Sequence, residues 1–482
     1  MVISLTVGCT KLDKEPLGVI SESSAYQSES DALKAITSVY NTLLNFPGYD
    51  GYSIYDIAAD DAEKGGEGPS DGDFNEIAYS TLTSSNSIAI DAWRNCYLGV
   101  HRANLVIENV PGIQMDENVK ERIIAEAKFL RAYDYFILVT LYGDVPLITK
   151  AEIESNEAER TSKDLVYEQI SKDLMEAIDV LPLKSQLSSG DLGRVTKGAA
   201  QAYLGKVYLY QKKFQDAETW FKKVVESNEY SLDSNYYHIF TIAGEFGPEN
   251  IFEINYTYSP QFRGASNLGT IRQGSAGMYG YGFTCPTQDF VDEFEQRDPR
   301  LSQTVYAAGD ILPDGKIADV GNSETGYMDK KAYLMQSEFP STGDPRNSGK
   351  NDIKLRYGML LLWYAEAANE NSNSQLALDL LNQVRNRARQ GNPDILPDVT
   401  ITDKEQMQAK IWHEERVEYG MENQRFFDLV RQGRAGKVLR AFAAKYNTVK
   451  GKGFKDGINE ILPIPQTEID LSQGKLTQNA GY

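Results

Sequence analysis

With 482 residues, 41% of them hydrophobic and 24% charged, the chain is long enough to bury a large core and reads as globular rather than disordered or fibrous. A formal net charge of -20 would repel a polyanionic backbone, which sets nucleic acid aside as a partner and disfavours docking on anionic lipid. Tyrosine is over-represented, with 29 residues where roughly 15 are expected; its flat face and polar tip suit helix packing and sugar stacking alike.

The chain opens with a short apolar run from Met1 to Gly8, followed by Cys9. This resembles the tail of a bacterial lipoprotein signal peptide, cut before a cysteine that is then acylated. Thr6 stands where such signals usually carry leucine, and no basic segment precedes the run. Residues 1–25 are predicted to be signal remnant and extended tether. No later segment approaches 18 consecutive apolar residues, so none is predicted to span a bilayer.

Apolar residues at helical spacing predict a first helix over 30–46, stopped by Pro47 and Gly48. Residues 49–86 are rich in Gly, Asp and Ser and read as loop. Helices are predicted over 90–110, 121–142 and 161–181. In 194–228, Leu204, Gly205, Tyr208, Ala217 and Phe221 fall at the offsets of a tetratricopeptide repeat. Ala377, Leu381 and Val384 echo Ala217, Phe221 and Val224. Between 227 and 351 helical periodicity fails, and 251–256 alternates like a strand. Helices return over 357–369, 374–390, 403–418 and, last, 424–431; the tail from 462 reads as non-helical. The predicted fold is mostly α: tetratricopeptide-like helix pairs (an α-α superhelix) at about 30–228 and 351–433, packed against an irregular, loop-rich half at about 229–350 with a few short strands. Residues 26–482 form one domain in this reading.

Catalytic signatures are scarce. The histidines are His101, His238 and His413, and Val417 stands where a zincin helix needs its second histidine. The sequence has no GxSxG, P-loop or GxGxxG, and no CxxC or Cys/His cluster, so neither cofactor nor metal is predicted. A Cys96–Cys285 bridge is left open. Asp60-Asp61 and the group Asp289, Asp292, Glu293 and Glu295 are conceivable glycosidase pairs, but the acidity of the chain favours a solvated acidic face. Gly277-Met-Tyr-Gly-Tyr-Gly282 reads as a flexible aromatic loop.

Several blocks carry a resemblance: Phe129-Leu-Arg-Ala-Tyr-Asp-Tyr-Phe136 with Leu141-Tyr-Gly-Asp-Val-Pro-Leu147, Gly193-Arg-Val-Thr-Lys-Gly-Ala-Ala200, and Pro286-Thr-Gln-Asp-Phe-Val-Asp-Glu-Phe294 with Asp298-Pro-Arg-Leu301. Further on come Glu414-Glu-Arg416, Gln424-Arg-Phe-Phe-Asp-Leu-Val-Arg431, Leu462-Pro-Ile-Pro-Gln-Thr-Glu-Ile-Asp470 and the closing Gln478-Asn-Ala-Gly-Tyr482. In this order they resemble the SusD/RagB family of outer-membrane nutrient-binding lipoproteins. The resemblance implies helical-repeat architecture, no enzymatic activity, surface exposure on the outer membrane and a SusC-like TonB-dependent transporter as partner. The matched motifs read as structural: Arg425 and Asp428 can lock a helix end, and Phe426 and Phe427 can fill a core.

The functional expectation is a cell-surface binder of oligosaccharide or polysaccharide, lipidated at Cys9 and held to the membrane through that anchor alone. A tetratricopeptide-type adaptor for peptides and a glycoside hydrolase are the alternatives. Two loop regions, 49–79 and 262–283, are expected to form the ligand site. Tyr52, Phe74, Tyr279, Tyr281 and Phe283 would offer aromatic faces, and Asp73, Asn75 and Arg263 partners for sugar hydroxyls.

Overall fold

The structure is a computed structural model and describes residues 25–44, 55–66, 71–152, 159–258, 266–340 and 343–482. Cys9, Tyr52 and Arg263 lie outside the described residues.

Helix α1 (Glu29–Leu44) buries Ala32, Ile36, Val39 and Leu43, one stripe at helical spacing. Its start is fixed by Ser28, whose hydroxyl accepts from the Asp31 N–H at 3.3 Å while Asp31 accepts from the Ser28 N–H at 3.1 Å. Helix α2 (Asp71–Ala78) and strand β1 (Ala62–Lys64) lie in the stretch read as loop. Helix α3 (Ser87–Asn109) is capped by Asn86, and α4 (Glu117–Tyr142) by Asp116. Gly143, at φ 73°, ends α4. Helices α5 (Lys163–Ile178), α6 (Lys197–Tyr210) and α7 (Phe214–Glu226) follow, and each packs on its predecessor.

The pair α6–α7 explains the repeat offsets. A Cβ at Gly205 would sit 2.5 Å from the Phe221 ring. Glycine there lets the helices close on a phenylalanine that is fully buried together with Leu204, Ala217 and Val224.

The chain then leaves the stack. Strand β2 (Asn250–Ile254) and the distant β6 (Asp352–Arg356) pair antiparallel, with a bulge, and so clamp both ends of the excursion together. Between them lie α8 (Gly269–Gln273), β3 (Thr284–Pro286), α9 (Gln288–Glu293), α10 (Leu301–Thr304), β4 (Val305–Ala307) and β5 (Tyr327–Asp329). A small second core holds Cys285, Tyr306, Leu312, Met328 and Tyr333. Helix α11 (Tyr357–Glu370) re-enters beside α7, where Trp363 meets Phe221 with ring centroids 6.4 Å apart, so the helical stack continues across the excursion. Helices α12 (Ser374–Ala388), α13 (Lys404–Tyr419) and α14 (Arg425–Arg431) complete it; Ala377, Leu381 and Val384 are as buried as the residues they echo.

Two further helices correct the expected end of helical structure at 431. They are α15 (Ala435–Tyr446), which buries Leu439, Phe442 and Ala443, and the short α16 (Gln466–Leu471) behind Pro465. Cys96 and Cys285 are free and buried, so the bridge left open is not made. No helix among the described residues is long and apolar enough to cross a membrane.

Candidate functional site

Strand β1 brings the two expected loop regions together by pairing with β3 antiparallel, Ala62 opposite Pro286 and Lys64 opposite Thr284. The Gly65 N–H extends the ladder by donating to the Phe283 carbonyl at 3.1 Å. Gly66 follows at φ 71°, and a Cβ on it would stand 2.2 Å from the Tyr281 carbonyl oxygen, so only glycine fits. The stretch read as a flexible loop is pinned instead: the N–H groups of Tyr281, Gly282 and Phe283 donate to the carbonyls of Ile271, Gly274 and Arg272 at 2.7, 2.8 and 2.8 Å.

These contacts line up an aromatic strip. The Phe74 and Phe283 ring centroids are 5.3 Å apart, and those of Phe283 and Tyr281 are 5.6 Å apart. The Lys64 ammonium lies 5.4 Å from the Phe283 ring. The strip runs from core to solvent: Phe74 is 1% exposed, Phe283 half-buried and Tyr281 45% exposed. Tyr281 is the only exposed Phe, Tyr or Trp among the described residues. A ring held by backbone hydrogen bonds and backed by a second ring is a preorganised stacking surface.

The other predicted contacts divide. Phe74 is a correction, because it is buried; its ring backs Phe283. Asp73 is a second: its carboxylate accepts from the Ser87 hydroxyl and its carbonyl from Asn86, so it anchors the start of α3. Tyr279 is a third. It packs on Tyr333 and Phe339 in the second core, and its hydroxyl accepts from the Leu334 N–H at 2.6 Å. Asn75 sits half-buried on α2. Sequence reading missed Lys64 and also Arg346, which is ion-paired to Asp344 at 2.8 Å and within electrostatic reach of the Tyr281 phenol. No sequence pattern marks either; strand pairing and chain crossing bring them there.

The acidic groups are not a simple solvated face. Asp60 and Asp61 are buried beneath the guanidinium groups of Arg416 and Arg425. Arg425 binds Asp60 in a two-pronged pair, both contacts 2.9 Å. Burial works against the Asp60 charge, but Arg416 and Arg425 overcome it and hold this carboxyl well below the usual range. Asp289 and Glu293 also pair with Arg416, at 3.0 and 2.8 Å, and Glu295 pairs with Arg385 at 2.8 Å; Asp292 alone of the group is exposed. Asp61 goes the other way from Asp60: burial raises its carboxyl above the usual range, against the pull of Arg416 and Arg425.

Glu295, His413 and Glu414 converge closely enough to suggest a metal site. However, His413 Nδ1 lies 2.7 Å from Glu293 and Nε2 3.5 Å from Glu295. Burial opposes the imidazolium, but these bonds prevail and raise its pKa to about 9. A histidine that keeps its proton acts as an ion-pair partner of these two carboxylates.

The comparisons agree with this architecture. Residues 248–482 match the model of the SusD family, and residues 17–209 match a model described as starch-binding and associating with the outer membrane. A SusD-like protein of Formosa agariphila is 27% identical, the alignment covering 100% of this chain and 98% of the relative. One of Bacteroides ovatus is also 27% identical over 87% of this chain and 78% of its own. Among solved structures, a laminarin-binding SusD-like protein has a TM-score of 0.81 at 29% identity, covering 95% of this chain and all of that one. A SusD-like carbohydrate-binding protein of Bacteroides fragilis has a TM-score of 0.80 at 26% identity over 92% and 98%. The two family models fall on either side of the excursion's start and together take in both halves of the fold, and the chain belongs to the SusD family.

Proposed function

We propose that this protein is a non-catalytic glycan-binding protein of the cell surface that stacks a sugar ring on Tyr281. The observation that carries the reading is the Tyr281 ring, the only Phe, Tyr or Trp exposed among the described residues, braced by Phe283 and Phe74 on a loop with its backbone pinned. A pyranose has an apolar face for such a ring and a fringe of hydroxyls for groups such as Lys64 and Arg346. Neutral sugars stay well hydrated, so the expected affinity is micromolar to millimolar. The laminarin named for one similar structure makes a neutral glucan the first ligand to try. Arginine-bound carboxylates in both candidate acidic groups, Asp60 in one and Glu293 and Glu295 in the other, support binding without turnover.

The same reading puts the protein on the outer membrane through an acylated Cys9, delivering ligand to a SusC-like TonB-dependent transporter. The family description and the lipoprotein-like start support it. Sharing one membrane raises the effective concentration of the two proteins, so a weak interface would suffice. The test is titration of the purified chain with a panel of neutral glycans, with product analysis on the same samples. Binding without cleavage is expected. Cleavage products would establish a hydrolase, and binding of extended peptides with indifference to sugars would establish an adaptor; either ends this reading.

A further inference from the structure

A second feature lies apart from the Tyr281 strip. Helices α13 and α15 flank a groove of about 550 Å³ that Asp289 and Glu293 of α9 also line. Three carboxylates line it, and all are engaged. Asp60 pairs with Arg425, Asp289 with Lys445 at 2.6 Å, and Glu293 with Arg416. Two cations on the α15 side are left over. The Arg434 guanidinium lies 4.4 Å from the Trp412 ring, and its Nε donates to the neutral Gln432 side chain at 2.7 Å. Lys437 is exposed one turn along. Among the described residues neither makes an ion pair with a carboxylate. Burial and the nearby Arg425 lower the Arg434 pKa to about 10; Glu415, Asp60 and Asp428 oppose this, but none of them lies within ion-pair distance, so they offset it only in part. A protein of net charge -20 thus carries a groove where cationic groups outnumber carboxylates.

We propose that this groove is an anion-binding subsite in which Arg434 and Lys437 hold the carboxylate or sulfate ester of an acidic saccharide. A planar guanidinium stacked on an indole keeps its remaining N–H donors fixed, which suits a two-pronged contact with an oxyanion. Val438, Ala441 and Phe442 add an apolar wall for the sugar body. Asp60, which lines the groove, and Gly66 beneath Tyr281 are six residues apart in sequence, so chain reach keeps these two backbone positions within about 22 Å. The anion chemistry stands on the groove alone; that a sugar carries the anion rests on the glycan-binding reading.

The experiment is calorimetric titration of the full chain with an oligogalacturonate, a sulfated oligosaccharide and a neutral laminari-oligosaccharide. Wild type is compared with Lys437→Gln and with Arg434→Gln/Lys437→Gln. At least one acidic probe should bind more tightly than the neutral one and weaken with added salt. It should lose several-fold in the single variant and at least about tenfold in the double variant, while neutral binding holds. The preferred acidic probe identifies the anion. Lys437 is solvent-exposed, so its variant tests the idea even where the double variant folds poorly. Equal binding of acidic probes to all three proteins, or none tighter than the neutral one, overturns the subsite. Loss of neutral binding alone, with acidic binding still dependent on Arg434 and Lys437, would count against the Tyr281 reading and leave the subsite standing.

Discussion

Replacing Tyr281 with alanine should separate binding from folding. Tyr281 is 45% exposed, so a side chain of roughly 200 Å² offers on the order of 90 Å² to a ligand. At about 25 cal/mol per Å² that surface contributes about 2 kcal/mol, or roughly 30-fold in affinity. The stability cost should be small, because the ring loses one tilted partner, Phe283, worth about 1 kcal/mol. Phe74→Ala reverses the pattern. Its ring is 1% exposed, and a buried phenylalanine truncation costs about 3–5 kcal/mol. The assay pairs isothermal titration against the best neutral glycan with thermal melting. Tyr281→Ala should weaken binding at least tenfold with a melting shift of a degree or two; Phe74→Ala should lower the melting temperature several degrees. Unchanged affinity in folded Tyr281→Ala would refute the platform, as would a large loss of stability, which would make Tyr281 a packing residue.

His413 gives a pH signature. Its pKa is raised to about 9 in the fold, so its stabilisation is fully present below about pH 6.5 and lost as pH rises through 9. The stability gap between wild type and His413→Gln in denaturant titrations should shrink over that window by up to about 3 kcal/mol, and a gap that widens would contradict the ion-pair assignment. Arg425→Met leaves Asp60 buried with Arg416 as its remaining partner and should cost about 3–5 kcal/mol, partly recovered by adding Asp60→Asn; a cost under about 1 kcal/mol would show that the pair is solvated. Gly205→Leu should destabilise by more than about 2 kcal/mol, since even a Cβ meets Phe221 at 2.5 Å; a neutral outcome would mean that α6 and α7 part readily. Cys9→Ala should release the protein from the membrane fraction of cells lacking the partner transporter, and continued membrane association would rule out the lipid anchor.

The repeat was legible because its signal is local. Gly205 and Phe221 meet across one short turn, so the small-and-large pattern sits in adjacent helices. Asp60-Asp61 was misread because its partners, Arg416 and Arg425, come from the other end of the chain. Two adjacent aspartates look solvated until distant guanidinium groups close on them. Helix α15 has Leu439, Phe442 and Ala443 at helical spacing and could have been found. Helix α2, with Gly72 near its start and few apolar positions, is held by its surroundings and gave little signal. Within the candidate site, Tyr279 and Tyr281 differ by two positions and have similar neighbours. Only the hydrogen bonds to Ile271, Arg272 and Gly274 put one in a core and the other in solvent.

Buried ion pairs hold the two halves of the fold together, and two of their members, Arg300 and Glu414, belong to the motifs that carried the resemblance. Arg300, from the excursion, reaches Glu414 at 2.6 Å and Glu418 at 3.0 Å on α13. Arg356, at the end of β6, spans Glu249 beside β2 at 2.6 Å and Glu418 at 2.8 Å, and Arg387 on α12 meets Glu249 at 3.1 Å. All of these side chains are almost wholly buried. Desolvating so many charges offsets much of their attraction, so the lattice is a poor source of net stability and a strong source of selectivity. Sliding β6 against β2, or rotating α13, would strand a buried charge. The excursion therefore has one seating on the helical stack. That seating fixes the end of β3 against β1 and, through Gly66, the backbone beneath Tyr281. A weakly bound sugar gives little energy with which to order its receptor. The surface that meets it has to be ordered beforehand, and buried ion pairs elsewhere in the fold can do that while the exposed loops around Tyr281 remain free to differ in what they bind.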